Sequence, residues 1–381
     1  MQLKTFKYRL YPTPTQEKLL TQVLDVCHHW YNMCVEDRKV AWELEKRSVS
    51  KGEQEKTGIR YRATFPRAKA VFSQTMQVVC DDVDKAFQAF FRRVKAGQTP
   101  GYPRFKGYRY FDSFGFKQYG MGIKLDGRRL KIFGVGRVHI FWHRPVQGKI
   151  KTARIRRIAG KWYVCFSCEL GDPIALEPTG CAVGIDLNVE NLLHDSDNRR
   201  VESPKPYRKA QADLRLAQRS MQRKTKGSKN RRKALLHIQR LHEHIKNARQ
   251  DLLNKEAHYY TQHYDLIGIE DLQTANMVRN KHLSKSILDQ GWGFFRQRLV
   301  AKAANAGRRL VLVNPAYTSK TCSCCGQLFQ DLTLSDRWVT CHCGLSLARD
   351  HNAAINILKR ATNGWDTSVG HNVGATGPCV S

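Results

Sequence analysis

Cys181-Ala182-Val183-Gly184-Ile185-Asp186-Leu187 is an apolar run of strand length with a single carboxylate set inside it. Runs of this kind, bounded by turn residues, read as strands buried on both faces, as in an α/β sheet. Leu266-Ile267-Gly268-Ile269-Glu270-Asp271 repeats the pattern and again ends in acid. Both acids stand near the C-terminal edge of a strand, a usual place for active-site groups in such sheets. A third, Asp350, opens a helix read from His351 to Lys359. Each has a structural alternative: Asp350 as an N-cap, Glu270 or Asp271 capping a short turn, Asp186 in a salt bridge.

Taken together, the three acids fit a metal-dependent chemistry. Phosphodiester hydrolysis uses two hard cations about 3.5–4 Å apart, and clustered carboxylates are the ligands that hold them. Two strands and a helix supplying Asp186, Glu270 and Asp350 form such a cluster, with Mg²⁺ the expected ion and Mn²⁺ its substitute. Glu270 is favoured over Asp271 because adjacent strand residues point to opposite faces.

Downstream, Cys322-Ser323-Cys324-Cys325-Gly326 and Cys341-His342-Cys343-Gly344 present two thiol pairs with 15 residues between Cys325 and Cys341. Tetrahedral zinc with four thiolates takes two such turns facing each other. The glycine after each pair permits a tight knuckle whose backbone N–H groups point at sulfur. Cys322, Cys325, Cys341 and Cys343 are the expected ligands of a structural zinc, although the second pair is C-x-C and leaves Cys324 and His342 as substitutes. Cys165 and Cys168 also spell C-x₂-C, but in an alternating strand they point to opposite faces and read as packing residues. Cys27, Cys34, Cys80, Cys181 and Cys379 are isolated and read as buried or incidental thiols.

Upstream, residues 2–11 alternate as a strand with Phe6, Tyr8 and Leu10 on one face. Thr13-Pro14-Thr15-Gln16 is a capping box with proline at the first helical position. Residues 12–99 read as mostly helical. From about 100 to 178 short strands and turns follow, a small β barrel or sandwich, and residues 1–11 are expected to pair with them, leaving the helices as an insertion. A basic helical hairpin spans about 207–262 with a hinge at Gly227-Ser228. Residues 366–381 read as a flexible tail.

Composition narrows the partners. Lys and Arg number 65 against 33 acids, a net charge of +32, which calls for a polyanion. No stretch approaches the roughly 20 apolar residues of a membrane span and the N-terminus lacks a secretion signal, so an intracellular, cytoplasmic nucleic-acid protein is expected. Residues 92–119 interleave Arg92, Arg93, Lys95, Arg104, Lys106, Arg109 and Lys117 with Tyr102, Phe105, Tyr108, Tyr110, Phe114 and Phe116. The cations can follow phosphates while the aromatics either stack on unpaired bases or fill the barrel core.

YRLYPTPTQ (8–16), AFQAFFRRVKAGQTPGYPRFKG (86–107), GIDL, GIEDL, PAYTSKTCSCCG (315–326) and RDHNAAINIL (349–358) together closely resemble the TnpB family of transposon-encoded RNA-guided nucleases. The resemblance runs nearly end to end. It implies a multidomain α/β protein with an RNase H-like (RuvC) core at 179–319 and 346–365. A zinc ribbon at 320–345 that helps load DNA would be inserted there, with a β-barrel wedge domain at 1–11 and 100–178 and a helical recognition insertion at 12–99. It further implies that Asp186, Glu270 and Asp350 cut double-stranded DNA matched by a guide RNA from the protein's own locus. Gln74 and Gln77 would lie near the contact with a short target-adjacent motif. The departures are the C-x-C pair and Ala348, where an acid is common. A DDE-type transposase and a catalytically silent guide-dependent DNA-binding regulator are the competing readings.

Overall fold

The computed structural model describes residues 2–333 and 335–363; the tail at 366–381 with Cys379, and the side chain of Arg109, lie outside the described residues. The chain divides into two compact units, Met1–Asp172 and Pro173–Ser381. Among the described residues no helix is long and apolar enough to cross a membrane.

In the first unit the strands are β1 (Gln2–Tyr11), β2 (Ser113–Phe116), β3 (Ile123–Asp126), β4 (Arg129–Ile132), β5 (Gly136–Phe141), β6 (Lys149–Ile158) and β7 (Lys161–Leu170). They form one near-closed antiparallel sheet in the order β2-β6-β7-β1-β5-β4-β3. The first strand therefore sits between two strands more than a hundred residues away, with Phe6 opposite Phe166 and Leu10 opposite Ile140. Helices Pro14–Glu45, Lys51–Thr64 and Ser73–Lys95 lie between β1 and β2 in sequence. The Thr13–Gln16 capping box and Pro14 start the first of them, and a second box, Ser50–Glu53, starts the next.

This helical block has no core of its own. Its buried face, with Leu20, Leu24, Trp30, Val79 and Val83, packs in one cluster with Phe6, Tyr8 and Leu10 of the sheet. A bidentate pair, Arg154 to Asp82 at 2.8 and 2.9 Å, ties helix Ser73–Lys95 to β6.

The second unit is built on β8 (Ala182–Leu187), β9 (Leu193–Asp195), β10 (Arg200–Val201), β11 (Leu266–Glu270) and β12 (Arg309–Val313). Their order is β10-β9-β8-β11-β12, with β9 and β10 antiparallel to their neighbours and β11 and β12 parallel to β8. Between β10 and β11 runs the basic hairpin, Gln211–Gln222 and Lys229–His263, capped at Ser228 and packed on Leu214, Ala217, Ile238 and Ile245. Before β12 come two helices, Ser284–Gln290 and Trp292–Ala306, broken where Gly291 takes a φ of 73°. A small hairpin of β13 (Trp338–Thr340) and β14 (Ser346–Ala348) leads into helix Arg349–Thr362.

Alternation along β8 and β11 positions the site. Val183, Ile185, Ile267 and Ile269 face one way, into a core with Leu253, Tyr260, Trp292 and Phe295. Gly184, Asp186, Gly268 and Glu270 face the other way. Helix Arg349–Thr362 lies on that glycine face. A Cβ at Gly184 would run into the backbone at Ala354 and Leu358, and one at Gly268 would stand 2.7 Å from the Cβ of Ala361. Only glycine lets the helix approach so closely.

Candidate functional site: a carboxylate cluster beside a four-cysteine knuckle

Because Ile185 pairs with Ile269 in parallel register, Asp186 and Glu270 are the next residues along on adjacent strands, on the same face and at the same height. Asp350 enters from above, in the first turn of the helix laid on that face. The helix begins two residues earlier than its sequence suggests, with Ala348 as N-cap, so Asp350 is not the cap. Asp271 points elsewhere and pairs with Arg296 on helix Trp292–Ala306.

Asp186 and Glu270 are 8% and 6% exposed. Burial, then the charges of Glu270 and Asp350, hold the Asp186 carboxyl well above the usual carboxylate range. Burial likewise raises Glu270, opposed by the Thr318 hydroxyl and the Arg360 charge. Two hydrogen bonds orient the group: Asn188 Nδ2 donates to Asp350 at 3.1 Å, and Thr318 Oγ1 donates to Glu270 at 2.6 Å. On β9 the buried His194 pairs with Asp186 across the strands and stacks on His351. Among the described residues only the four cysteines discussed below bring a ligand atom each within 4.8 Å of one another, so the three carboxylates are not all that close together.

These shifts carry a sign. A carboxyl with a raised folded pKa binds more protons folded than unfolded, so stability falls as pH rises above about 4, the unfolded value, and stays low above the folded pKa. Asp186→Asn should therefore raise the melting temperature in magnesium-free buffer at pH 8, by about 2–4 °C for each kcal/mol of relieved repulsion. The gain should shrink toward pH 5. Equal melting of both proteins at pH 8, followed by scanning calorimetry, would show that Asp186 carries no such penalty.

Cys322, Cys325, Cys341 and Cys343 gather their sulfurs in one cluster. Sulfur separations are 3.7 Å for Cys322–Cys343 and 3.5 Å for Cys325–Cys341. Four thiolates about 2.3 Å from a tetrahedral zinc stand about 3.8 Å apart, so the set fits that ion. Gly326 and Gly344 take φ of 80° and 91°, as the knuckles require. A backbone N–H at Leu345 holds the Cys343 thiol down at about 6. The shortened C-x-C pair thus still reaches the cluster, and Cys324 is not one of the four that gather there.

Among the expected nucleic-acid contacts, Arg92, Arg93, Lys95 and Arg104 are exposed. Lys106 is half-buried, with its ammonium 4.0 Å above the Tyr31 ring and its pKa lowered by burial, so it is committed inside the unit. The aromatics divide: Phe114 and Phe116 are core, while Tyr102, Phe105, Tyr108 and Tyr110 are exposed. Gln74 and Gln77 are half-buried on helix Ser73–Lys95, and the Gln74 side-chain oxygen is buried without a hydrogen-bond partner.

Sequence reasoning missed Asn188, Thr318, Asn352 and Asn356. The last two are buried within an apolar helix face beside Ala353, Ala354 and Ile357, and that mismatch was a readable signal.

A Streptomyces pristinaespiralis protein is 32% identical over 362 residues, spanning 93% of this chain and 88% of its own length. An Escherichia coli (strain K12) protein is 31% identical over 398 residues, spanning 99% and 95%. The first is named "Putative RNA-guided DNA endonuclease" and the second "Putative RNA-guided DNA endonuclease InsQ". The chain belongs to the TnpB family. A mimivirus protein named "TnpB-like protein L79" is 32% identical over 144 residues, 36% of this chain and 28% of its own. The family described as "Probable transposase" matches residues 165–281, and the domain described as "Cas12f1-like, TNB domain" matches 292–357, a wider segment than the ribbon alone. A third description, "Helix-turn-helix domain", matches 1–47, where this TnpB chain instead has strand β1 and one unbroken helix.

Proposed function

We propose that this TnpB protein is an RNA-guided DNA endonuclease that hydrolyses phosphodiester bonds at Asp186, Glu270 and Asp350. The convergence of these three carboxylates, from two neighbouring strands and the helix laid over them, carries the reading. The sheet, three antiparallel strands followed by two parallel ones, supports an RNase H-like, RuvC-type core. The relatives named as RNA-guided DNA endonucleases match nearly the whole chain and support a guide RNA and a DNA target as partners.

Magnesium held by the three carboxylates would activate the attacking water and stabilise the leaving oxygen, with manganese able to substitute. The chain's own groups prepare that site. Burial and mutual repulsion make the carboxylates poor hosts for one another and good hosts for cations. Asn188 and Thr318 fix two of the three in place. Zinc in the four-cysteine cluster would be structural, since all four positions are filled by protein. The first unit would act as the wedge and recognition domains, with Gln74 and Gln77 near the target-adjacent motif. Arg92, Arg93, Lys95 and Arg104 would follow phosphates while the exposed Tyr102, Phe105, Tyr108 and Tyr110 stack on bases.

A protein of charge +32 that neutralises about 6–10 phosphates should lose roughly 10³–10⁵ in RNA affinity between 50 and 200 mM salt. Filter binding across that range checks this, and a flat profile contradicts it. The description "Probable transposase" keeps a strand-joining reading in view. The two separate when the gene is expressed with its native flanking DNA and the nucleic acid bound to the purified protein is sequenced. One dominant RNA from the edge of the locus, its last segment reading into neighbouring sequence, supports guided cleavage. Random fragments or none favour the transposase.

A further inference from the structure

The turn that enters the ribbon is tied to both halves of the carboxylate site. Thr318 stands four residues before Cys322, is 3% exposed, and places its hydroxyl 2.6 Å from Glu270 Oε1. Its backbone carbonyl accepts a hydrogen bond of 2.9 Å from Asn356 Nδ2. The same amide reaches Thr321 O at 2.6 Å. One turn earlier on that helix, Asn352 Nδ2 donates to Thr321 O at 2.8 Å, and its Oδ1 accepts from Ser323 N at 2.8 Å. Lys359 donates to Ser323 O. Asn352 is fully buried and Asn356 is 7% exposed.

Burying two carboxamides costs stability unless every partner is in place, so their convergence on residues 318–323 is a built clamp. A clamp alone would only hold the helix against the knuckle. The Thr318 hydroxyl does something more. When Glu270 is ionised, the carboxylate can only accept, and the hydroxyl can only satisfy it by donating. The donated bond fixes which oxygen of Glu270 is tied and which is left for a cation. The path from helix to knuckle to carboxylate thus runs through one side chain.

We propose that Thr318 is a positioning residue that orients Glu270 for divalent-cation binding, and that Asn352 and Asn356 fix Thr318 by clamping the first cysteine knuckle to the helix that carries Asp350. The proposal rests on the Asp-Glu-Asp reading. Folding of the ribbon and competence of the carboxylate site are then linked: a chain whose knuckle is displaced from the helix holds Glu270 poorly, although all three acids are present.

The test measures Mn²⁺ binding to the purified protein with its bound RNA, by the electron paramagnetic resonance signal of free Mn²⁺. Zinc content and melting temperature are measured on the same samples. Thr318→Val keeps the shape and removes the donor; it should weaken Mn²⁺ binding about tenfold with zinc content unchanged, while the melting temperature falls only by what one unsatisfied buried acceptor costs. Thr318→Ser restores the hydroxyl and should bind as the native protein does. Asp186→Ala should lose the site. If Thr318→Val binds Mn²⁺ as tightly as the native protein while Asp186→Ala does not bind, the positioning role is wrong and the carboxylate reading stands. If Asp186→Ala binds normally, the carboxylate reading itself has failed.

Discussion

Asp186→Ala is expected to lower the DNA cleavage rate by at least about 10³-fold, since metal stabilisation of the reacting charge supplies several kcal/mol. Guide RNA and target DNA should bind almost as before. Asp186 is buried near the end of β8, and its backbone pairing with β9 survives the replacement; the methyl group removes a charge that the fold bears at a cost. The loss should therefore fall on the chemical step. Gel-shift titration beside a cleavage time course separates the two, and a variant that still cuts at the native rate would remove Asp186 from the site.

The second large effect concerns the cysteines. Among its described residues, segment 320–345 buries little apolar material beyond Val339, Cys322 and Cys341, so its fold cannot rest on a core. Structural zinc supplies about 10–16 kcal/mol in small four-ligand modules, which is ample here. Native protein should contain about one zinc per chain, set by the four-thiolate ligand count. Cys322→Ser should abolish it and leave 320–345 open to protease, whereas Cys324→Ser should retain the metal. Elemental analysis with limited proteolysis reads both. Loss of zinc in Cys324→Ser would make that exposed thiol a ligand, and a zinc-free native protein with an intact ribbon would end the assignment.

Much of this was legible in the chain because isolated departures from pattern are easy to see. An acid inside AVGIDL, an acid ending LIGIE and two thiol pairs each break a local rule, and the fold gathers the three acids at one site and the cysteines at another. The pairing of β1 with β5 and β7 was also readable, since a lone alternating strand before a helical block must find partners elsewhere. What stayed hidden depends on tertiary contact. That helices 14–95 share a core with the sheet follows from how amphipathic faces meet, and no single segment states it. Lys106 looked like any other cation in a basic run until Tyr31, 75 residues away, was seen beneath it. Thr318 lay in a motif already singled out, yet a threonine gives no local sign that its hydroxyl meets a glutamate 48 residues back.

A bound RNA is expected to choose where Asp186, Glu270 and Asp350 cut. The most direct measurement replaces the last segment of that RNA with a new sequence, supplies a plasmid carrying the matching target beside the same adjacent motif, adds Mg²⁺, and maps the breaks. Cutting that moves to the new target, and disappears in Asp186→Ala, is the expected result. Breaks that stay at the old sequence, or that form equally without RNA, would contradict it.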